Sequence, residues 1–167
     1  MDRFAITSAP LGLEPLMDLV SRLHAQRAAR TGGEGPGAVA TFVGLVRNRH
    51  AGRNVDHLRY EAYEPLALRA FERIAAEVAD RVPDAVLAIH HRVGRLEIGE
   101  ASVAIAAASA HRAEASAACR YAIERVKQIA PIWKHEVFAG GAAWVEGATA
   151  NPDDAASRER AWSHACL

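Results

Sequence analysis

The order in which the hydrophobic period changes along the chain constrains its fold more than any other feature. Three stretches carry apolar residues at helical spacing. Leu13 to Gln26 places Leu16, Leu19, Val20 and Leu23 on one face. Glu64 to Val82 carries a longer stripe of Leu68, Phe71, Ile74, Ala75, Val78 and Val82, with Pro65 in its first turn and Pro83 at its end. The third helix opens at Ser109-Ala-His-Arg112 and runs to about Ala130, with Ala115, Cys119, Ala122, Ile123, Val126 and Ile129 in its stripe. Pro131 removes a backbone donor and pushes Ala130 out of helical geometry, so the helix stops there. Strand-like runs separate and flank these helices at Arg3–Ser8, Gly37–Val46, Val55–Tyr63, Ala85–Val93, Glu100–Ser109, Ile132–Phe138 and Ala142–Glu146. The order β-α-β-β-α-β-β-α-β-β alternates too irregularly for a doubly wound parallel sheet. It predicts an α+β fold with a largely antiparallel sheet.

Gly37 to Val46 is nearly continuous, rich in β-branched residues and bounded by glycine, as in a buried strand. The small residues of Glu100–Ser109 predict close packing against a helix. Gly94 to Gly99 reads as a turn region. Thr31 to Gly37 is a loop by composition, and no GK[ST] follows to make it a phosphate loop. Arg47 to Asn54 holds Arg47, Arg49, Arg53, His50 and Gly52. Composition alone favours a solvated hairpin loop; the functional alternative is an anion-binding loop at the mouth of a site. With 167 residues the chain is expected to form one domain over residues 1–150. Residues 151–167 form a polar, alanine-rich tail or frayed helix that docks through Trp162.

Net charge is zero, which argues against a general nucleic-acid or membrane-surface binder. The longest strongly apolar run, Ala101 to Ala110, is too short to span a bilayer. The N-terminus lacks the pattern of a signal peptide, so the expected location is the cytoplasm. The two cysteines, Cys119 and the penultimate Cys166, make no CxxC and no metal-ligand spacing, and neither reads as a nucleophile. The eight histidines form no HxxxH pair. Neither a metal nor a cofactor is expected.

The two lysines carry the chemistry. They are Lys127 and Lys134, seven residues apart around Pro131, and the other eighteen basic side chains are arginines. A coding bias toward arginine explains why lysines are few, but not why these two flank one proline. A guanidinium does not deprotonate, whereas a desolvated ammonium can, and it then serves as base, acid or nucleophile. Lys127 belongs to the last turn of a helix and Lys134 to the extended segment beyond. A sharp turn between them directs both toward one pocket.

Several segments together resemble the large, catalytic subunit of molybdopterin synthase. They are Gly37-Ala-Val-Ala-Thr-Phe-Val-Gly-Leu-Val-Arg-Asn48, Leu58-Arg-Tyr-Glu-Ala-Tyr63, Ile89-His-His-Arg-Val-Gly-Arg-Leu96, Ser109-Ala-His-Arg112, Lys127-Gln-Ile-Ala-Pro-Ile-Trp-Lys-His-Glu136 and Trp144-Val-Glu146. The resemblance implies an α/β hammerhead fold with an additional antiparallel β subdomain. It also implies a homodimer of large subunits with a small ubiquitin-like sulfur-carrier subunit at each end, a heterotetramer in all. The implied reaction moves sulfur from a thiocarboxylate at the carrier's C-terminal Gly-Gly to cyclic pyranopterin monophosphate, making the dithiolene of molybdopterin. By matching motif positions, Lys127 takes the acid/base or covalent-contact role and Lys134 steers the phosphate or stabilises oxyanions. Arg47 holds the phosphate or the carrier's tail, Phe42 is an aromatic pocket residue, and His111 and Arg112 reach the site across the dimer interface. The chain departs from the family's pattern at Ile132, where a phenylalanine is more usual. Read without the family, the lysines also fit a Schiff-base lyase. They fit equally a non-catalytic phosphate- or pterin-binding module, and a homo-oligomeric scaffold that needs neither lysine.

Overall fold

The structure, a computed structural model, describes residues 1–145, 147–148 and 150–165. Its elements run β1 (Phe4–Thr7), α1 (Leu13–Thr31), β2 (Ala38–Leu45), β3 (Arg49–His50), β4 (Arg53–Asn54), β5 (His57–Ala62), α2 (Glu64–Arg81), β6 (Val86–Arg92), β7 (Gly94–Glu97), β8 (Ala101–Ser109), α3 (Arg112–Ile129), β9 (Ile132–Phe138), β10 (Gly141–Val145) and α4 (Ala155–Ala165). The fold is α+β, as the order of periods predicts. One sheet has the order β1-β6-β8-β2, with β1 parallel to β6 and the other pairs antiparallel. The other, β10-β9-β5-β7, is antiparallel throughout and forms the subdomain. The β3–β4 ribbon projects from the link between β2 and β5 and turns at Ala51 and Gly52, both at positive φ.

Helices cover both faces of the first sheet, which explains why β8 is apolar throughout. Val103, Ile105 and Ala107 pack with Phe71 and Ile74 of α2 and with Ala118, Ala122 and Ile123 of α3. Between them, Ala104, Ala106 and Ala108 face Leu16, Leu19 and Val20 of α1. The alanines let both layers approach closely, as their small size predicts.

Three segments differ from expectation or extend it. Helix α1 runs five residues past Gln26, because Ala28 continues the buried face, and it ends at Gly32 with φ 70°, where the backbone N–H caps the carbonyl of Ala28. Gly94–Glu97, expected as a turn, is the edge strand β7. Its Leu96 is fully buried beside Leu58, and that burial fixes the strand's register. Part of the tail forms α4, whose buried Trp162 stacks on Tyr121 with ring centroids 4.0 Å apart. Glu146 and Cys166 lie outside the described residues.

Candidate active site

A cavity of about 800 Å³ opens where the two sheets meet the C-terminal end of α3. Pro131 builds it. Ala130 is extended (φ −76°, ψ 124°), so the chain leaves α3 abruptly and enters β9. Lys127 from the last turn of the helix and Lys134 from the strand therefore line the same cavity. In β9, Lys134 sits opposite Tyr60 of β5, and Glu136 sits opposite Leu58. Alternation in the strand puts Lys134 and Glu136 on one face, and their side chains meet at 2.9 Å.

Glu136 is the hub of the charged wall. It is 6% exposed, and it accepts from Lys134 Nζ and from His50 Nδ1, the latter also at 2.9 Å. Burial alone would raise its carboxyl pKa; the bonds from Lys134 and His50 outweigh that and hold it below the usual carboxylate range. The His50 bond also ties the β3–β4 ribbon to the lysine strand. Lys127, by contrast, makes no ion pair among the described residues. Arg47 and Arg49 complete the rim, so four basic side chains and, among the described residues, one carboxylate, that of Glu136, line the cavity. A chain with no net charge thus concentrates positive charge in one concavity, which selects an anionic ligand.

The remaining walls come from close backbone approach. A Cβ on Gly44 would lie 2.7 Å from Cγ1 of Val103, so β2 passes β8 closely at its bulge beside the cavity. Phe42, two residues earlier, lines the cavity. Gly147 and Ala148 close one side. Arg125 pins the chain beyond them through Ser157 Oγ and the carbonyl of Pro152.

The structure brings Phe42, Arg47, Lys127 and Lys134 together around this cavity, and it leaves His111 and Arg112 outside. His111 is the N-cap of α3 and Arg112 its first residue; both are exposed. They stand roughly 22 Å from Lys127 along the helix axis, at 1.5 Å per residue. Asp84 holds their corner. Its carboxylate accepts from Ala110 N (2.7 Å), Ser109 Oγ (2.9 Å) and His24 Nε2 (2.9 Å). Burial opposes ionisation of Asp84, but these donors outweigh it and lower its pKa to about 2.

Sequence reasoning did not single out Tyr60, His91, Ser102, His50 or Glu136 as site residues, although all line the cavity. Tyr60 and His91 stood inside recognised motifs but read as ordinary strand positions. Cys119 matches expectation: it is a buried free thiol, and burial pushes its pKa up to about 12. Among the described residues no group of three or more His, Cys, Asp or Glu is placed to hold a metal ion, and no helix is long and apolar enough to cross a membrane.

The family described as MoaE protein matches residues 7–129. The chain is 43% identical over 145 residues to the molybdopterin synthase catalytic subunit of Bacillus subtilis, covering 87% of this chain and 85% of that protein. It is 47% identical over 146 residues to the protein of that name from Nostoc, covering 86% and 82% respectively. Among solved structures, molybdopterin synthase from Staphylococcus aureus superposes with a TM-score of 0.78 at 35% identity, covering 87% of this chain and 98% of that one. A protein–protein complex of subunits 1 and 2 of molybdopterin-converting factor from Helicobacter pylori matches with a TM-score of 0.64 at 25% identity, covering 87% and 91%.

Proposed function

The chain belongs to the MoaE protein family, and on that premise we propose that it is the catalytic subunit of a molybdopterin synthase. It transfers sulfur from the thiocarboxylated C-terminus of a small carrier subunit to cyclic pyranopterin monophosphate, building the dithiolene of molybdopterin. The observation that carries this reading is the cavity in which both lysines of the chain join Arg47 and Arg49 around one carboxylate. Both reactants are anions, a phosphate and a thiocarboxylate, and the cavity matches them in sign.

The contacts support distinct roles for the two lysines. Lys127, with no carboxylate partner among the described residues, exchanges a proton or contacts the thiocarboxylate directly. Lys134, oriented by Glu136, supplies a fixed positive charge for the phosphate or for a developing oxyanion. Arg47 and Arg49 offer planar forks to phosphate oxygens. Phe42 presents a ring face to the pterin. Cys119 is buried and protonated, which supports delivery of sulfur by a partner rather than by this chain. That partner is the ubiquitin-like carrier, whose tail threads into the cavity. His111 and Arg112 complete the site from the second large subunit of a homodimer, within a heterotetramer. The proposed location is the cytoplasm.

A single-turnover assay tests the reading. The protein is mixed with thiocarboxylated carrier and cyclic pyranopterin monophosphate, and the dithiolene is detected as its oxidised fluorescent derivative. Product that depends on the thiocarboxylate is expected. Carrier binding without product would leave a binding module, and neither binding nor product would overturn the assignment.

A further inference from the structure

The cavity is not charged throughout. Tyr60, His91 and Ser102 give it a polar but uncharged side. His91, near the end of β6, is 6% exposed. Its Nδ1 lies 2.9 Å from the backbone oxygen of Arg92. A carbonyl oxygen only accepts, so Nδ1 carries the hydrogen, and in the neutral ring Nε2 keeps its lone pair. Nε2 has no hydrogen-bond partner among the described residues. The ring is also held in place, because it meets the ring of Tyr60 at 72° with centroids 5.1 Å apart. Burial lowers the pKa of His91 to about 4, against a smaller upward pull from the Arg92 carbonyl, so the ring is neutral near pH 7. Ser102 spends its hydroxyl hydrogen on the carbonyl of Gly44 at 3.1 Å.

An oriented and neutral acceptor on a residue of the cavity wall, accepting nothing from the protein, is placed to take a donor from a ligand. The ionised cyclic phosphate of the substrate and the ionised thiocarboxylate carry no donor. A nitrogen heterocycle does. We infer that His91 is a substrate-recognition residue whose Nε2 accepts a hydrogen bond from a ring N–H of the pterin, seating the uncharged end of the substrate away from the cationic rim. This rests on the function proposed above and adds a direction to it. The heterocycle lies toward Tyr60 and His91, and the phosphate toward Arg47, Arg49 and the lysines. His91 thereby excludes a substrate turned end for end, since its lone pair repels an anion.

Two variants separate the ring's two nitrogens. His91→Asn keeps a donor for the Arg92 carbonyl and removes the acceptor in the cavity. His91→Gln does the reverse, placing an amide oxygen near the position of Nε2. Binding of cyclic pyranopterin monophosphate to the intact protein is titrated by fluorescence, and binding of the carrier and of inorganic phosphate is measured in parallel. His91→Asn is expected to weaken pterin binding roughly 5- to 150-fold, the consequence of leaving one buried N–H unpaired. Carrier and phosphate binding stay unchanged, and His91→Gln recovers part of the loss. Equal pterin binding by wild type and His91→Asn overturns the inference and leaves the function standing. So does an equal loss of all three ligands. A wild-type protein that binds no pterin overturns both. Nitrogen-15 NMR of histidine-labelled wild type decides the matter even where a variant misfolds. Pterin, but not phosphate, should move the Nε2 resonance of His91; an unmoved resonance refutes the inference.

Discussion

Replacing Arg125 with methionine should cost about 3–5 kcal/mol of stability and loosen one wall of the cavity. Arg125 is completely buried, yet all five of its N–H groups are used. Nε and Nη2 grip Glu77 at 2.8 Å each, Nη1 reaches Gln128 Oε1 at 2.9 Å and Ser157 Oγ at 3.1 Å, and Nη2 also reaches the carbonyl of Pro152 at 3.2 Å. Glu77 is 5% exposed. Burial pushes its carboxyl pKa upward, but bonds from Arg125, Tyr121 and Arg73 outweigh this and hold it low. Without Arg125 the carboxylate keeps only Tyr121 at 2.7 Å and Arg73 at 3.2 Å, and Arg73 is more than a third exposed. A buried charge that loses its main partner accounts for the estimate, and the two remaining donors favour its lower end. For a chain of this size the loss corresponds to a fall in Tm on the order of 6–20 °C. Urea denaturation followed by circular dichroism, at one fixed protein concentration, measures it. Hydrogen exchange should quicken most in residues 150–165, because Arg125 and the Ala150 N–H to Gln128 carbonyl bond fasten that segment to α3. The double variant Glu77→Gln, Arg125→Met should be more stable than the single arginine variant, since it leaves no unpaired charge. A loss below about 1 kcal/mol for Arg125→Met, or a double variant worse than the single one, would refute the reasoning.

Three further outcomes follow from the same structure. Lys127→Arg should abolish turnover with fold and carrier binding intact, because the charge stays but the exchangeable proton does not; near-normal single-turnover activity would reduce Lys127 to a point charge. Lys127→Ala and Arg112→Ala are each expected to inactivate the protein, yet a mixed dimer of the two should regain the full activity of one of its two sites, since one cavity then has both residues. Absence of any recovery in mixed dimers would refute the contribution of His111 and Arg112 across the interface. Asp84, with its carboxyl pKa near 2 when folded against a normal value of 3.8, stabilises the fold above about pH 4 and loses that contribution as pH falls toward 2. The stability of wild type should therefore fall more steeply than that of Asp84→Asn over this window, and parallel urea midpoints would contradict the sign.

What could be read from the chain, and what could not, follows from the range of the interactions involved. Helix α2 and the stripe of α3 were legible because a 3.6-residue period is local, and the stop at Pro131 was legible because proline acts on its own neighbours. Strand β7 was not, because Gly94 and Gly99 signal turns while its pairing with β5 depends on Leu58, far away in sequence. Arg125 is a sharper case. It falls on the buried face of α3 beside Tyr121 and Ala122, where a lone arginine carries no local meaning. Its partner Glu77 lies forty-eight residues earlier, and only the packing of α2 on α3 joins them. His91 was hidden for a different reason. Strand β6 is buried along nearly its whole length by layers on both sides, so no alternation distinguishes a cavity position from a core position. His111 and Arg112 mark the outer limit of this logic. The motif that holds them was plain in the sequence, yet one folded protomer leaves them exposed at the far end of α3. Asp84, Ser109 and His24 nevertheless hold that corner rigidly. A corner built so firmly around two exposed basic residues makes structural sense if the surface it presents is met by another subunit, and the mixed-dimer experiment asks whether that subunit's cavity is what it meets.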